Sequence, residues 1–277
     1  MANFDMAEFW RERGGELWVR EADRYDTMLE PCGRRLLDAA ALQPGERVLD
    51  VGCGNGAVTL EAARKVGPEG KATGLDLSGP MLGLAGRRAA QQGLDIAFVQ
   101  GDAGTASWDD QVDAVISRFG VMFFEEPDAA FANLAEALRP GGRICFVCWQ
   151  EMFSNEWIAV PAMAAVAHVG IPELPPPGAP GPFALADADR VRGLLESAGL
   201  KEVSISAQTD GLTMGRDPED VVAFMSSDEM GRRLFEGKAP ELVKAATDAA
   251  LEALQPFATP DGVVLGGAYW LVTARKP

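Results

Sequence analysis

The residues of this 277-residue chain whose types and spacing could do chemistry centre on one stretch, Val48-Leu-Asp-Val-Gly-Cys-Gly-Asn-Gly56. The apolar residues before the glycines read as a buried strand, and the residues after them read as a helix. Glycines at 52, 54 and 56 let a backbone loop come close to a ligand. Their G-x-G-x-G spacing differs from the G-x-G-x-x-G that cradles a dinucleotide pyrophosphate. Asp50, inside the strand, would repel a pyrophosphate and suits a cation such as an ammonium. Asp76 ends the next apolar run, 20 residues after Gly56, where a carboxylate can accept two hydrogen bonds from ribose hydroxyls. Asp102 ends the third run, where an adenine amino group could reach it. Together these residues suit a ligand with an adenosine end and a cationic end but no phosphate.

The elements that must position them alternate in type. Short apolar runs at 48–51, 72–76, 96–99, 112–116 and 144–148 are separated by helical patterns near 57–66, 80–92 and 128–138. Strand and helix in alternation, with buried-type strands, predict an α/β fold built on a doubly wound parallel sheet. Ligands bind at the carboxyl ends of such strands. Residues 3–42 read as two helical pieces broken at Gly14-Gly15. Beyond Trp149 the rhythm stops. A helix is expected over 150–170, then an extended stretch with six prolines in residues 171–182, a linker or a flap. A helix over 187–198 capped by Asp187, a strand over 201–207, two helices within 216–255 and a strand over 267–274 complete the chain.

Composition narrows the partners. Lys plus Arg number 25 and Asp plus Glu 41, a formal charge of −16. That balance disfavours nucleic acid and anionic membranes. The N-terminus lacks the basic and apolar regions of a signal peptide, and no apolar run reaches the length of a membrane span. Cys32, Cys53, Cys145 and Cys148 are too few and too scattered for a disulfide framework, so a reduced, cytoplasmic protein is expected. Cys145 and Cys148 form C-x-x-C within a strand, where they must face opposite ways and cannot share a metal. No metal site is expected.

The segment VLDVGCGNG (48–56), followed by GLDLS (74–78) and GDA (101–103), resembles the signature of class I S-adenosylmethionine-dependent methyltransferases. SRFGVMFF (117–124) and ALRPGGRICFVCW (137–149) resemble later segments of the ubiquinone/menaquinone-biosynthesis-like (methyltransferase type 11) subgroup. The resemblance implies a seven-stranded, mostly parallel Rossmann-like sheet with an antiparallel last strand. Residues 1–42 would form a helical lid, 43–150 the cofactor-binding core, and 151–277 a helical cap plus the last two strands. S-adenosylmethionine would be the cofactor. Asp50, Gly52 and Gly54 would line its methionine part, and Cys53, in the same loop, would touch the cofactor by its backbone. Asp76 would hold the ribose, Leu77 the adenine face, and Asp102 and Ala103 the adenine edge. Ser117, Arg118 and Phe119 would face the transferable methyl.

Methyl transfer from a sulfonium is an in-line displacement, and the protein mainly positions the nucleophile. Aromatic faces suit the cation. Candidate substrate walls are Trp10, Trp18, Tyr25, Phe119, Met122, Trp149 and Trp157. His168, the single histidine, and Tyr25 are the candidate general bases. The expected activity is methyl transfer to a small molecule, at oxygen first and at carbon or nitrogen next. The alternatives are a protein that binds the cofactor without methyl turnover, or uses it in other chemistry such as a cyclisation, and a nicotinamide-dependent oxidoreductase.

Overall fold

The computed structural model describes residues 6–108 and 110–277. The first residues of the expected lid lie outside the described residues. The chain opens with three helices, α1 (Met6–Arg11), α2 (Arg13–Arg20) and α3 (Ala22–Ala40). The alternating core follows as β1 (Arg47–Val51), α4 (Ala57–Val66), β2 (Lys71–Asp76), α5 (Gly79–Gln91), β3 (Ile96–Gln100), β4 (Val112–Arg118), α6 (Pro127–Ala137) and β5 (Leu138–Trp149). The last part comprises α7 (Glu156–Val169), α8 (Ala188–Ser197), β6 (Lys201–Gly215), α9 (Pro218–Ser227), α10 (Glu229–Phe235), α11 (Pro240–Leu254), β7 (Ala258–Thr259) and β8 (Gly262–Arg275). No helix among the described residues is long and apolar enough to cross a membrane.

The sheet runs β3-β2-β1-β4-β5-β8-β6, with the two-residue β7 paired to β8. The pairs among β1 to β5 are parallel. β8 is antiparallel to both its neighbours. The order reverses between β1 and β4, which opens a crevice at the carboxyl ends of these strands. β1, β4 and β5 carry near-continuous apolar runs because helices cover both faces of the sheet. Ala114, Val115, Ile116, Phe146, Val147 and Cys148 have no exposed surface. Cys145 Sγ lies 3.6 Å from Leu36 O of α3, and Cys148 Sγ lies 3.6 Å from Leu185 O before α8, so the pair straddles the sheet.

Several expectations shift. Gly14 and Gly15 do not break a helix; they sit inside α2, and the breaks fall at Glu12 and Glu21. Their smallness serves packing instead. A Cβ on Gly15 would lie 2.0 Å from Ser78 Oγ, so α2 rests directly on the start of α5. The 216–255 region holds three helices, because Asp228 ends α9 and caps α10 by accepting from Gly231 N at 2.7 Å. β6 and β8 extend well past the parallel core as a long antiparallel pair, in which Leu212 and Met214 turn inward and are buried. Asp187 caps α8 as expected, accepting from Asp189 N at 2.9 Å.

Candidate active site

The loop after β1 is held by backbone bonds. Gly52 N and Cys53 N both donate to Leu75 O of β2, at 2.8 and 3.1 Å. Gly52 has φ +65, and a Cβ there would lie 2.6 Å from Gly120 Cα. Only glycine fits a left-handed turn so close to another backbone. The Cys53 side chain turns into the core under Gly74, and burial pushes its thiol well up, so it offers a ligand its backbone alone.

Each sequence-derived carboxylate occupies the end of a strand or just beyond one. Asp76 accepts from Gly54 N at 2.8 Å and from Ser78 N at 2.9 Å. The carboxylate has about four acceptor sites, so it keeps capacity for a ribose hydroxyl beside these backbone donors. Burial raises its pKa. Asp102 lies two residues past the end of β3 and accepts from Gly104 N at 2.7 Å. Leu77 is half-buried, and Ala103 is buried with its carbonyl accepting from Asn133 Nδ2 at 2.7 Å.

Asp50 is 1% exposed, and Thr59 Oγ1 donates to its Oδ2 at 2.6 Å. Burial pushes its pKa up to about 7. Arg118, at the end of β4, donates to Leu29 O at 3.3 Å and forms no ion pair among the described residues. The guanidinium lies against α3, where a Cβ on Gly33 would stand 3.4 Å from its Nη1. Asp50 and Arg118 share a cavity of about 30 Å³ with Trp18, Asp26, Gly52, Cys53, Gly54, Asn55 and Val58. Asp26 is committed to Arg88 Nη1 at 2.7 Å. Asn55 is 5% exposed, and its Nδ2 donates to Trp18 O at 2.9 Å, but its Oδ1 has no partner. A buried acceptor without a donor costs on the order of 1–3 kcal/mol. A half-buried cation without an ion pair adds a desolvation cost of its own.

These groups, with Asn55 Oδ1 lacking a donor, test whether an amino-acid end fits. An ammonium needs acceptors, which Asp50 and Asn55 Oδ1 supply; a carboxylate needs a cation, which Arg118 supplies. The donor set suits the methionine end of S-adenosylmethionine. Neither Asn55 nor Asp26 is singled out by a local pattern, since both matter through partners distant in sequence. The polar residue between Gly54 and Gly56 was the available signal.

An aromatic cluster roofs this end of the sheet. Trp18 and Tyr25 stack at 3.8 Å and 5°, and Trp10 stands edge-on to Trp18 and to Phe123. Phe224 of α9 stands edge-on to Tyr25. Phe119 has φ +64 and stacks on Trp149 at 3.9 Å. A non-glycine residue held there costs on the order of 1–3 kcal/mol and marks a position that its surroundings fix.

Other candidates are placed elsewhere. Ser117 Oγ donates to Val51 O at 2.7 Å and accepts from Gly120 N at 3.2 Å, so it ties β4 to β1 and has no free bond for a methyl group. Met122 is 1% exposed, with its sulfur accepting from Trp149 N, which makes it core. Trp157 donates to Asn155 Oδ1 at 3.0 Å and braces the segment after β5. His168 is exposed in the last turn of α7 and does not line the cavity. Burial raises the Tyr25 phenol well above its ordinary range, so it stays protonated and is a poor base.

The profile of a methyltransferase domain matches residues 48–142. Nocamycin O-methyltransferase of Saccharothrix syringae is 36% identical over 205 residues, 66% of this chain and 72% of that protein. Aklanonic acid methyltransferase DauC of Streptomyces sp. (strain C5) is 40% identical over 143 residues, 50% of this chain and 65% of that protein. Phosphoethanolamine N-methyltransferase 2 of Haemonchus contortus, solved in complex with S-adenosyl-L-methionine, shares the fold at TM-score 0.60 and 16% identity, over 100% of this chain and 61% of that chain. The chain belongs to the class I S-adenosylmethionine-dependent methyltransferases, enzymes whose methyl donor is S-adenosylmethionine.

Proposed function

We propose that this enzyme methylates an oxygen of a small, flat acceptor bound beneath α1–α3. The observation that carries the proposal is one cavity lined by the Asp50 carboxylate, the unpartnered Asn55 Oδ1 and Arg118, which forms no ion pair among the described residues, beside the aromatic cluster of Trp10, Trp18, Tyr25 and Phe123. Two relatives of this chain are methyltransferases, one of them named for O-methylation.

When bound, the cofactor supplies a methyl group on a positively charged leaving sulfur. Asp50 and Asn55 hold the ammonium, and Arg118 holds the carboxylate. Asp76 holds the ribose, Leu77 packs on the adenine, and Asp102 and Ala103 meet its edge. Gly52 and Gly54 let the backbone come close. Phe119 on Trp149 forms a rigid floor next to Gly120. Trp10, Trp18 and Tyr25 would exclude water from the acceptor, and an aromatic face turned to the sulfonium would be worth about 0.5–2 kcal/mol. With His168 remote and Tyr25 protonated, holding and desolvating the acceptor supply the rate enhancement.

The test is turnover to S-adenosylhomocysteine with a panel of phenols, enols and carboxylic acids against a matched panel of amines, reading the added methyl by mass. Methylation within the oxygen panel is expected. Methylation of amines alone would overturn the proposal, as would tight cofactor binding with a rearranged, unmethylated product.

A further inference from the structure

Asn55 joins two things that are otherwise separate. Its Nδ2 donates to Trp18 O, one of the carbonyls left without a helical partner at the end of α2. Its Oδ1 is buried and unpaired in a residue that lines the cavity with Asp50 and Arg118. The assignment of oxygen and nitrogen is fixed by Trp18 O, which can only accept. The Asn55 backbone cannot drift, because Arg88 Nη1 donates to its carbonyl at 3.2 Å while also pairing with Asp26. α2 is also fastened to the core by its buried Leu17. Gly15 rests against Ser78, Trp18 stacks on Tyr25, and Arg13 pairs with Glu229.

We infer that Asn55 is a positioning residue that couples closure of α1–α2 to an ammonium in the cavity. The inference rests on the reading of this cavity as the methionine end of the cofactor site. An ammonium donating to Oδ1 polarises the amide and strengthens the bond that Nδ2 makes to Trp18 O. Linkage then makes the effect reciprocal: whatever factor the seated helix adds to ammonium affinity, the ammonium adds to seating of the helix. A ligand with the same adenosine end but no amino acid would leave Oδ1 unpaired and the helix no better held. The device tightens the aromatic roof when a complete cofactor is in place.

The experiment is amide hydrogen exchange of residues 6–20, with calorimetry, at pH 8.5. The probes are S-adenosylhomocysteine and 5′-methylthioadenosine, which lacks the amino-acid end. In the native protein, saturating S-adenosylhomocysteine should slow exchange in α2 about tenfold, and 5′-methylthioadenosine should not. Asn55→Ala should bind S-adenosylhomocysteine about tenfold more weakly and show no slowing at saturation. Asn55→Asp keeps an oxygen for the ammonium but gives up the donor to Trp18 O. It should bind S-adenosylhomocysteine within a few-fold of native and still show no slowing, which a merely misfolded loop would not do. Equal slowing by the two probes, or undiminished slowing in saturated Asn55→Ala, would overturn the coupling while leaving the cofactor site intact. Failure of the native protein to bind S-adenosylhomocysteine would overturn the site itself.

Discussion

Replacing Arg118 by Met should separate stability from binding in opposite directions. The guanidinium is half-buried beneath α3, has no ion pair among the described residues, and makes one long bond, 3.3 Å to Leu29 O. Leu29 lies inside α3, so its carbonyl already serves the helix and is not orphaned by the change. Exchanging a half-buried cation without an ion pair for an apolar chain of similar length removes its desolvation cost, so the melting temperature should hold or rise. A hydrogen bond to a charged group contributes about 1.5–3 kcal/mol, so losing the contact to a ligand carboxylate should weaken S-adenosylhomocysteine roughly 10- to 150-fold. 5′-Methylthioadenosine has no carboxylate and should bind Arg118→Met as it binds the native protein. Arg118 also holds the Asp50 pKa down, so its removal pushes Asp50 further up. The calorimetry therefore belongs at pH 8.5, where Asp50 stays ionised. A lowered melting temperature with parallel losses for both ligands would show that Arg118 is structural and refute the reasoning. So would unchanged affinity for S-adenosylhomocysteine.

Asp50 has a pKa near 7 because it is buried, and its ionised form is the one that holds an ammonium. S-adenosylhomocysteine affinity should therefore rise from pH 6 to pH 8 with proton release on binding, seen as a buffer-dependent enthalpy, and Asp50→Asn should abolish the dependence. The same raised pKa means that the folded state binds this proton more tightly than the unfolded one, so the stability contribution falls as pH rises from about 4 to about 7. Asp76→Ala should weaken S-adenosylhomocysteine and 5′-methylthioadenosine alike, by at least about tenfold, because both carry the ribose; calorimetry showing either unchanged would remove Asp76 from the site. Gly52→Ala places a Cβ 2.6 Å from Gly120 Cα at φ +65, so urea unfolding should show a loss of about 2 kcal/mol or more. A loss under about 0.5 kcal/mol would mean that the loop has slack.

What was legible in the sequence was local. The turn after β1, the acid at the end of β2 and the alternation of strand and helix each depend on neighbours within a few residues, and α4 begins and ends where its pattern says. Side-chain direction was less legible. Ser117 sits at the expected strand end, yet its hydroxyl is taken by Val51 O and Gly120 N, a bond pattern set by how closely β1 and β4 approach. Met122 lies in the expected turn but points into the core. Gly14-Gly15 reads as a break because glycine weakens a helix by about 1 kcal/mol; close approach of α2 to Ser78 outweighs that, and no local pattern encodes it. His168 has the right chemistry for a base and the wrong place, exposed in the last turn of α7.

The fastening of the N-terminal helices explains why mobility would be confined to the first two. α3 is bolted to the sheet side of the molecule. Arg24 makes paired bonds to Asp220 at 2.8 and 3.1 Å and a third to Met214 O, and Arg35 grips Asp210 with two bonds of 2.7 Å. Asp210 also accepts from Tyr269 of β8, which is fully buried. Displacing α3 would strip these partly buried pairs and uncover Leu29, Cys32 and Leu36 of the core. α1 and α2 bury much less: no residue of α1 is buried, and α2 buries Gly14, Gly15 and Leu17. The boundary falls at Glu21, where α2 stops and α3 starts. A hinge at Glu21 would let Trp10 and Trp18 swing away from Phe123 and Asn55 while Tyr25 stays in place. The acceptor wall would thus have one fixed half and one moving half, and the Trp18–Tyr25 stack is the seam between them. Quenching of tryptophan fluorescence on that seam should therefore follow cofactor binding in the native protein and in Trp10→Phe, and disappear in Trp18→Phe.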